Sequence, residues 1–174
     1  MAITENLITR KVVEGDTASE AIYSTCESYR YELTRVWDSS GPRILFIMLN
    51  PSTATEYKND PTVARCEGRA RYLHFGSYRV CNIFALRSTN PKELYKSDFP
   101  IGMDNNEAIK QGCVWADKIV CAWGNHGELH DRGRAVENLI RGIVQNVFHL
   151  GLTKRNMPKH PLYISHSQPL VRWI

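Results

Sequence analysis

Apolar positions along the chain follow two regimes. Around residues 21–37 they alternate with polar ones, with Tyr29, Tyr31 and Leu33 set against Arg30, Glu32 and Thr34. That alternation predicts two strands, residues 21–24 and 29–37, forming a half-buried antiparallel pair around a short turn. After the turn cluster Asp38-Ser39-Ser40-Gly41-Pro42 the alternation stops. Residues 43–49 read RILFIML, a continuous apolar run expected of a strand covered on both faces. Residues 78–84, 118–123 and 146–150 repeat that character. Between these segments, residues 61–73, 105–115 and 131–143 carry helical periodicity. Pro61 suits a first helical turn and Asp60 its cap. Strands alternating with helices predict a parallel α/β sheet with helices on both faces. In such sheets ligands bind beyond the carboxyl ends of the strands. The rule selects Asn50-Pro51-Ser52, the stretch from Asn82 to Asn90, Gly124-Asn125-His126-Gly127, and the region around His160.

Length and composition narrow the class. The 174 residues fit one domain, with residues 1–40 as its β extension. A 43% hydrophobic and 23% charged composition excludes a disordered or fibrous chain. No apolar run approaches the roughly 20 residues of a membrane helix, and the N-terminus lacks a basic stretch followed by an apolar one. The five cysteines, Cys26, Cys66, Cys81, Cys113 and Cys121, form no CxxC pair. The expectation is a reduced, cytoplasmic protein with no membrane association, structural zinc, other metal or cofactor. A net charge of +4 suits an anionic partner. Arg65, Arg69 and Arg71 crowd one segment, Arg79 and Arg87 follow, and Lys154, Arg155 and Lys159 form a second group. Arg65 and Arg69, four apart, share one helical face and are expected at the pocket mouth, where they meet phosphate.

Four segments could carry chemistry. Asn50 closes the most buried-looking strand, and Pro51 behind it biases it toward an extended conformation, aiming its carboxamide reproducibly. A carboxamide orients water without carrying charge; the alternative is an ordinary strand-ending turn. Asn82 interrupts an apolar strand and needs partners. Either it bonds a neighbouring loop, or it faces the pocket and reads adjacent donor and acceptor groups such as a base edge. The Gly124 turn resembles a phosphate-binding strand-to-helix turn, although neither GxxxxGK[ST] nor GxGxxG is present. His160, with Pro161 behind it, is either structural or placed to stabilise a developing anion. GxSxG is absent, as is HxE with PCxxC, which disfavours serine hydrolases and zinc base deaminases. Asp60, in the loop after Asn50, could supply the basicity that Asn50 lacks.

An NP motif, a strand asparagine, a glycine turn and an HP motif in this order resemble the uracil-DNA glycosylase superfamily. The whole chain is similar to the bacterial and phage family DUF1643, through MLNPSTA at 48–54, NDPTVARC at 59–66, CNIFALRSTNP at 81–91, CAWGNHG at 121–127 and LGLTKRNMPKHPLYI at 150–164. The resemblance implies a three-layer αβα sandwich around a central four-stranded parallel sheet, uracil-DNA glycosylase-like, with the N-terminal antiparallel pair added. It implies a DNA glycosylase-type hydrolase of N-glycosidic bonds acting on a damaged or modified base, with DNA or a nucleotide as partner. Asn50 would orient water toward the sugar C1′ and His160 would stabilise the departing base. Asn82 would read the base, with Pro51, Ser52 and Phe84 beside it. Arg65, Arg69, Arg87, Gly124, Asn125, His126 and Lys159 would meet the DNA phosphates. The chain departs from the superfamily at Met48 and Ser52, which replace the glycines of GxNPG, and at Leu162, which replaces the serine of HPS. These departures, with Asp60-Pro61-Thr62 and Arg65, point to a different base or a changed reaction. The rival readings are a non-catalytic nucleobase or DNA binder and an enzyme of modified-nucleotide metabolism.

Overall fold

The computed structural model describes residues 6–173. Its strands are β1 (Ile8–Glu14), β2 (Thr17–Tyr23), β3 (Arg30–Val36), β4 (Arg43–Met48), β5 (Ser77–Asn82), β6 (Lys118–Cys121), β7 (Phe148–His149) and β8 (Val171–Arg172). The helices are α1 (Pro61–Tyr72), α2 (Lys92–Lys96), α3 (Asn105–Trp115) and α4 (Arg132–Arg141), the last preceded by a 3-10 segment, Asn125–Asp131. All eight strands join one mixed sheet in the order β1-β2-β3-β5-β4-β6-β7-β8. β4 is parallel to β5 and β6, and β6 to β7. The pairings β1 to β2, β2 to β3, β3 to β5 and β7 to β8 are antiparallel.

β4 explains the layering. Ile44, Phe46 and Met48 pack with Val63, Cys66 and Ala70 of α1. Leu45, Ile47 and Leu49 pack with Ile109 and Cys113 of α3 and Val136 and Ile140 of α4. With successive side chains pointing to opposite faces, an all-apolar strand must be covered on both, and helices lie on both sides of the sheet. Each such buried side chain contributes about 1.5–3 kcal/mol. α1 starts where Asp60 Oδ1 accepts the Val63 N–H at 2.9 Å, with Pro61 at its first turn. Among the described residues no helix is long and apolar enough to cross a membrane.

Several expectations are corrected. The central sheet is not four-stranded and parallel: the parallel run β5-β4-β6-β7 is the middle of one eight-stranded mixed sheet. The N-terminal pair is three strands, because β1 adds at the edge through a two-residue turn in which Gly15 takes φ +59°. Arg10, Lys11 and Glu14 make β1 polar, which hides it from an apolar pattern and suits an edge strand. β8, α2 and the 3-10 segment were also not expected. β3 is buried on both faces: Arg79 pairs with Glu32 at 3.4 Å, donates to Thr34 Oγ1 at 2.9 Å and stacks over Trp115.

One irregularity in β3 matters for the site. The β2–β3 register slips between Ile22 and Tyr23, so that Ile22 opposes Glu32 but Tyr23 opposes Arg30. Such a bulge re-aims the side chains beyond it. Tyr31 packs with Ala85 and with Ala108 of α3. Arg30 turns to the α1 side, donating from Nη1 to Ala54 O at 2.6 Å.

Candidate active site

The loop between β4 and α1 is built by side chains gripping backbone. Asn50 Nδ2 donates toward Ser88 O at 2.9 Å, Pro51 O at 3.1 Å and Leu86 O at 3.3 Å, tying the end of β4 to the loop after β5. With the amide nitrogen so held, Oδ1 is the acceptor left to bind something else; among the described residues no protein donor bonds it. Asp60 Oδ2 accepts from Ala54 N at 3.2 Å, so one carboxylate caps α1 and closes the loop. Arg35 holds the intervening turn through Thr55 O, Glu56 O, Lys58 O and Asn59 Oδ1.

Asn82 lies across from Met48 where β4 and β5 end. It is 1% exposed, and neither Nδ2 nor Oδ1 has a hydrogen-bond partner in the protein. An unpaired buried amide costs about 1–3 kcal/mol. Its backbone, by contrast, is held firmly. Asn105 Nδ2 donates to Asn82 O at 2.8 Å and Ile83 O at 3.1 Å, and Arg132 Nε donates to Ile83 O at 2.7 Å. Burial lowers the Arg132 pKa to about 10.

His160 arrives on the segment after β7. Gly124 N donates to Pro158 O at 2.8 Å and Lys159 N to Gly151 O at 2.9 Å, bringing this segment against the glycine turn. Gly124 has φ +73°, a conformation that favours glycine, and an added Cβ would lie 3.7 Å from His160 Cβ. His160 Nδ1 accepts the Leu162 N–H at 3.4 Å, which leaves Nε2–H as the donor of the neutral ring. Burial holds the imidazole below its ordinary 6.5, partly offset by Asp60. It is therefore neutral at pH 7.

These segments converge. Asn50, Pro51, Ser52, Asp60, Asn82 and His160 line one cavity with Arg30, Met48, Thr62 and Val63. Its volume is about 30 Å³, the share of one water and far below the roughly 300 Å³ at which small-molecule pockets begin. The sequence missed Arg30, because alternation assigned it to the polar face of β3 with Glu32 and Thr34. It is 1% exposed and its pKa is lowered to about 10, chiefly by burial. The lone available signal was an arginine beside a run of aromatic residues at a strand start.

Other expected site residues lie elsewhere. Phe84 is buried among Leu49, Ile83 and Leu94 on the α3 side and does not line the cavity, because it lies in the bend after β5, where the strand alternation that would have placed it on the side of Asn82 has ended. Arg65 and Arg69 do share a face, but that face packs on the C-terminal segment instead of opening to phosphate. Arg69 is 1% exposed and donates to Ser165 O, Gln168 O, His166 O and Ile164 O, while Arg65 donates to Ile164 O. The Gly124 amide is already committed to Pro158 O, and the Gly127 amide donates to Gly124 O. Gly127 serves packing, since a Cβ there would lie 2.3 Å from the Trp123 ring. Asn125 Oδ1 accepts from Thr153 Oγ1, and His126 Nδ1 meets the Tyr95 hydroxyl. Arg87 donates to Glu27 O and stacks on Tyr23. Lys159 is exposed, with its stem near Gly151. Neither Arg87, Lys159 nor the glycine turn lines the cavity.

The cavity thus gathers a neutral imidazole donor, a carboxamide acceptor, a free donor–acceptor pair, a carboxylate and a guanidinium. Among the described residues no group of three or more His, Cys, Asp or Glu side chains could hold a metal ion. The thiols of Cys66, Cys81, Cys113 and Cys121 are pushed up by burial, which makes them poor nucleophiles. A family model described as a protein of unknown function, DUF1643, matches residues 30–162. No curated protein and no solved structure matches the chain.

Proposed function

Since the chain belongs to the DUF1643 family of proteins of unknown function, its activity must be read from the cavity, and we propose that it recognises a nucleobase there and hydrolyses the N-glycosidic bond. The observation that carries this reading is Asn82: a buried carboxamide with donor and acceptor both unpartnered, at the carboxyl end of a strand, facing the cavity lined by Asn50 and His160. The parallel run β5-β4-β6-β7 between helical layers supports a glycosylase-like arrangement. In the proposed reaction Asn50 Oδ1 accepts a hydrogen bond from water and aims its oxygen at C1′. A C1′–O bond forms as the C1′–N bond breaks, leaving its electron pair on the base. His160 Nε2–H donates to the base oxygen on which that charge collects. Asp60, whose oxygens keep lone pairs beyond the bonds from Ala54 and Val63, takes the proton of the water. The positive charge developing on the sugar is stabilised by the same carboxylate.

This reading requires movement, since a 30 Å³ cavity does not admit a base. The wall suited to move is the segment carrying His160, which from Ile164 to Gln168 is held to α1 largely by the guanidinium groups of Arg65 and Arg69. Single-turnover assays on oligonucleotides and nucleosides carrying damaged or modified bases test the reaction. Asn50→Ala should slow base release while leaving affinity nearly intact, because its water contact matters in the transition state. Because Asn50 also ties two loops, the variant should lose about 1–2 kcal/mol of stability, measured separately by denaturation. Base release unchanged in Asn50→Ala, Asn82→Ala and His160→Ala alike would remove the reading. A second reading, a free nucleoside or nucleotide as substrate, is favoured by Arg65 and Arg69, whose commitment to protein carbonyls removes the expected phosphate contacts. Competition between mononucleotides and duplex DNA separates the two. A steep loss of DNA affinity with salt favours DNA.

A further inference from the structure

We infer that Arg30 sets the substrate class, selecting a base that carries an exocyclic oxo group by donating a charge-assisted hydrogen bond to it beside Asn82. The inference rests on the base-recognition reading and adds a residue and a chemical preference to it. Arg30 is aimed at the cavity by the β2–β3 bulge, and it lines that cavity together with Asn82. Its Nη1 is committed to Ala54 O, whereas Nε has no hydrogen-bond partner in the protein. Buried polar groups are nearly always partnered, so each exception needs a cause. The Nε atoms of Arg65 and Arg69 are also unpartnered, but those side chains pack on the C-terminal segment and line no part of this cavity. Among the described residues, Arg30 is the one whose unpartnered guanidinium nitrogen belongs to a side chain lining the same cavity as the unpartnered Asn82 carboxamide.

The charge arrangement agrees. Arg30 and Asp60 both line the cavity and attract each other, yet they form no ion pair within 4.0 Å. Ala54 lies between their grips, its carbonyl taken by Arg30 and its N–H by Asp60. The two charges are thereby held apart instead of cancelling. A guanidinium only donates, so the ligand edge facing it must accept: an oxo group fits, and an amino group sets donor against donor. A base that leaves with the electron pair of the broken bond becomes more negative at that oxygen, which strengthens the bond in the transition state. A phosphate oxygen shares the same acceptor chemistry, and the test must tell the two sources apart.

The test titrates wild type, Arg30→Met and Asn82→Ala by calorimetry with two nucleoside pairs that differ in one exocyclic group and in the proton on the adjoining ring nitrogen, inosine against adenosine and uridine against cytidine, and with ribose 5-phosphate. Wild type should prefer the oxo member of at least one pair by about tenfold or more, the size of a charge-assisted hydrogen bond. Arg30→Met should lose most of that preference, and Asn82→Ala should lose binding of both members. A preference undiminished in Arg30→Met overturns the inference while leaving base recognition standing. Ribose 5-phosphate binding that disappears in Arg30→Met assigns the side chain to phosphate and also overturns it. Nucleosides that fail to bind wild type at millimolar concentration overturn base recognition and this inference together. Because Arg30→Met removes a buried cation, wild-type protein with ¹⁵N-labelled arginine supplies a measurement independent of folding. The Arg30 Nε–H resonance, assigned by its loss in Arg30→Lys, should move downfield on adding the preferred nucleoside; an unmoved resonance counts against the inference.

Discussion

Two hollows lie on either side of β3, and they differ in opposite senses. Tyr29 and Tyr31 line the larger, about 830 Å³, with Phe99, Ile101, Met103 and His130. Arg30, between them in sequence, lines the smaller, about 30 Å³. The large hollow has the volume of a ligand pocket, and Phe99 and Met103 stand 77% and 73% exposed at it. Its walls are mostly apolar, with one carboxylate, Asp98, and one imidazole, His130. The small cavity receives polar side chains from β3, the loop before α1, β5 and the C-terminal segment, and its carboxamide is unpartnered. Volume measures where a molecule could rest, whereas unpartnered polar groups that converge are the ones able to bond a ligand. Local backbone geometry divides the two, since a one-residue bulge sends Arg30 to one side and Tyr31 to the other.

The strongest test of this contrast compares His160→Ala with Phe99→Ala. The first should lower the rate of base release by roughly 10²–10³-fold, the effect of losing one oxyanion donor, and the second should leave it unchanged. Reversal of that order in the single-turnover assay would move the site to the large hollow. Next in size is Arg69→Met. Carbonyls of Ser165, His166 and Gln168 would lose this donor and that of Ile164 would keep only Arg65, and unfolding by denaturant should show a loss of about 3 kcal/mol. Base association should quicken as the His160 segment loosens, which stopped-flow mixing can follow. A stable variant with unchanged association would argue that another wall opens.

Asn82→Leu sharpens the contrast by separating stability from function. Replacing an unpartnered carboxamide by an apolar group of similar shape should raise unfolding free energy by about 1–3 kcal/mol while abolishing base binding. A loss of stability would mean that the carboxamide serves the fold. The pH dependence is smaller. His160 is held below 6.5, so between its folded value and 6.5 the unfolded chain binds a proton that the folded chain does not. Its contribution to stability is complete above pH 6.5 and declines as pH falls through the folded value. His160→Gln should flatten part of that decline, the remainder belonging to His149 and His166, which burial also lowers. Activity that depends on a neutral ring should hold through that window and fall only as pH drops through the folded value. The smallest effect is expected at the large hollow, where Phe99→Asp and Met103→Lys should change stability by no more than about 0.5 kcal/mol. A larger loss in either would show that this surface is packed against something in solution.

The parallel strands and the three long helices were legible because burial on both faces writes a continuous apolar run, and one-sided burial writes helical periodicity. The cap at Asp60 was legible for a local reason: a short acceptor before Pro61 is within reach of the first-turn amides, whereas its second bond, to the Ala54 amide, closes a loop that the local pattern does not show. Asn50 and Asn82 were legible as strand-end or strand-interrupting polar residues and His160 as the histidine of an HP loop; the two asparagines meet because parallel strands end on the same side, and His160 joins them because its segment is bonded to the glycine turn. The phosphate-facing arginines were misread because charge says nothing about what lies opposite. Arg65 and Arg69 face backbone carbonyls nearly a hundred residues away in the chain.

What the sequence determined by itself was the set of elements and the ends at which polar residues gather, because those depend on spacing within a segment. Tertiary structure alone decided which arginines turn to backbone carbonyls of the C-terminal segment and which one lines the cavity, which asparagine carboxamide is left unpartnered, and how little space lies between them. Those properties belong to pairs of segments far apart in the chain, and the bulge that turns Arg30 inward exists only where two strands are held side by side.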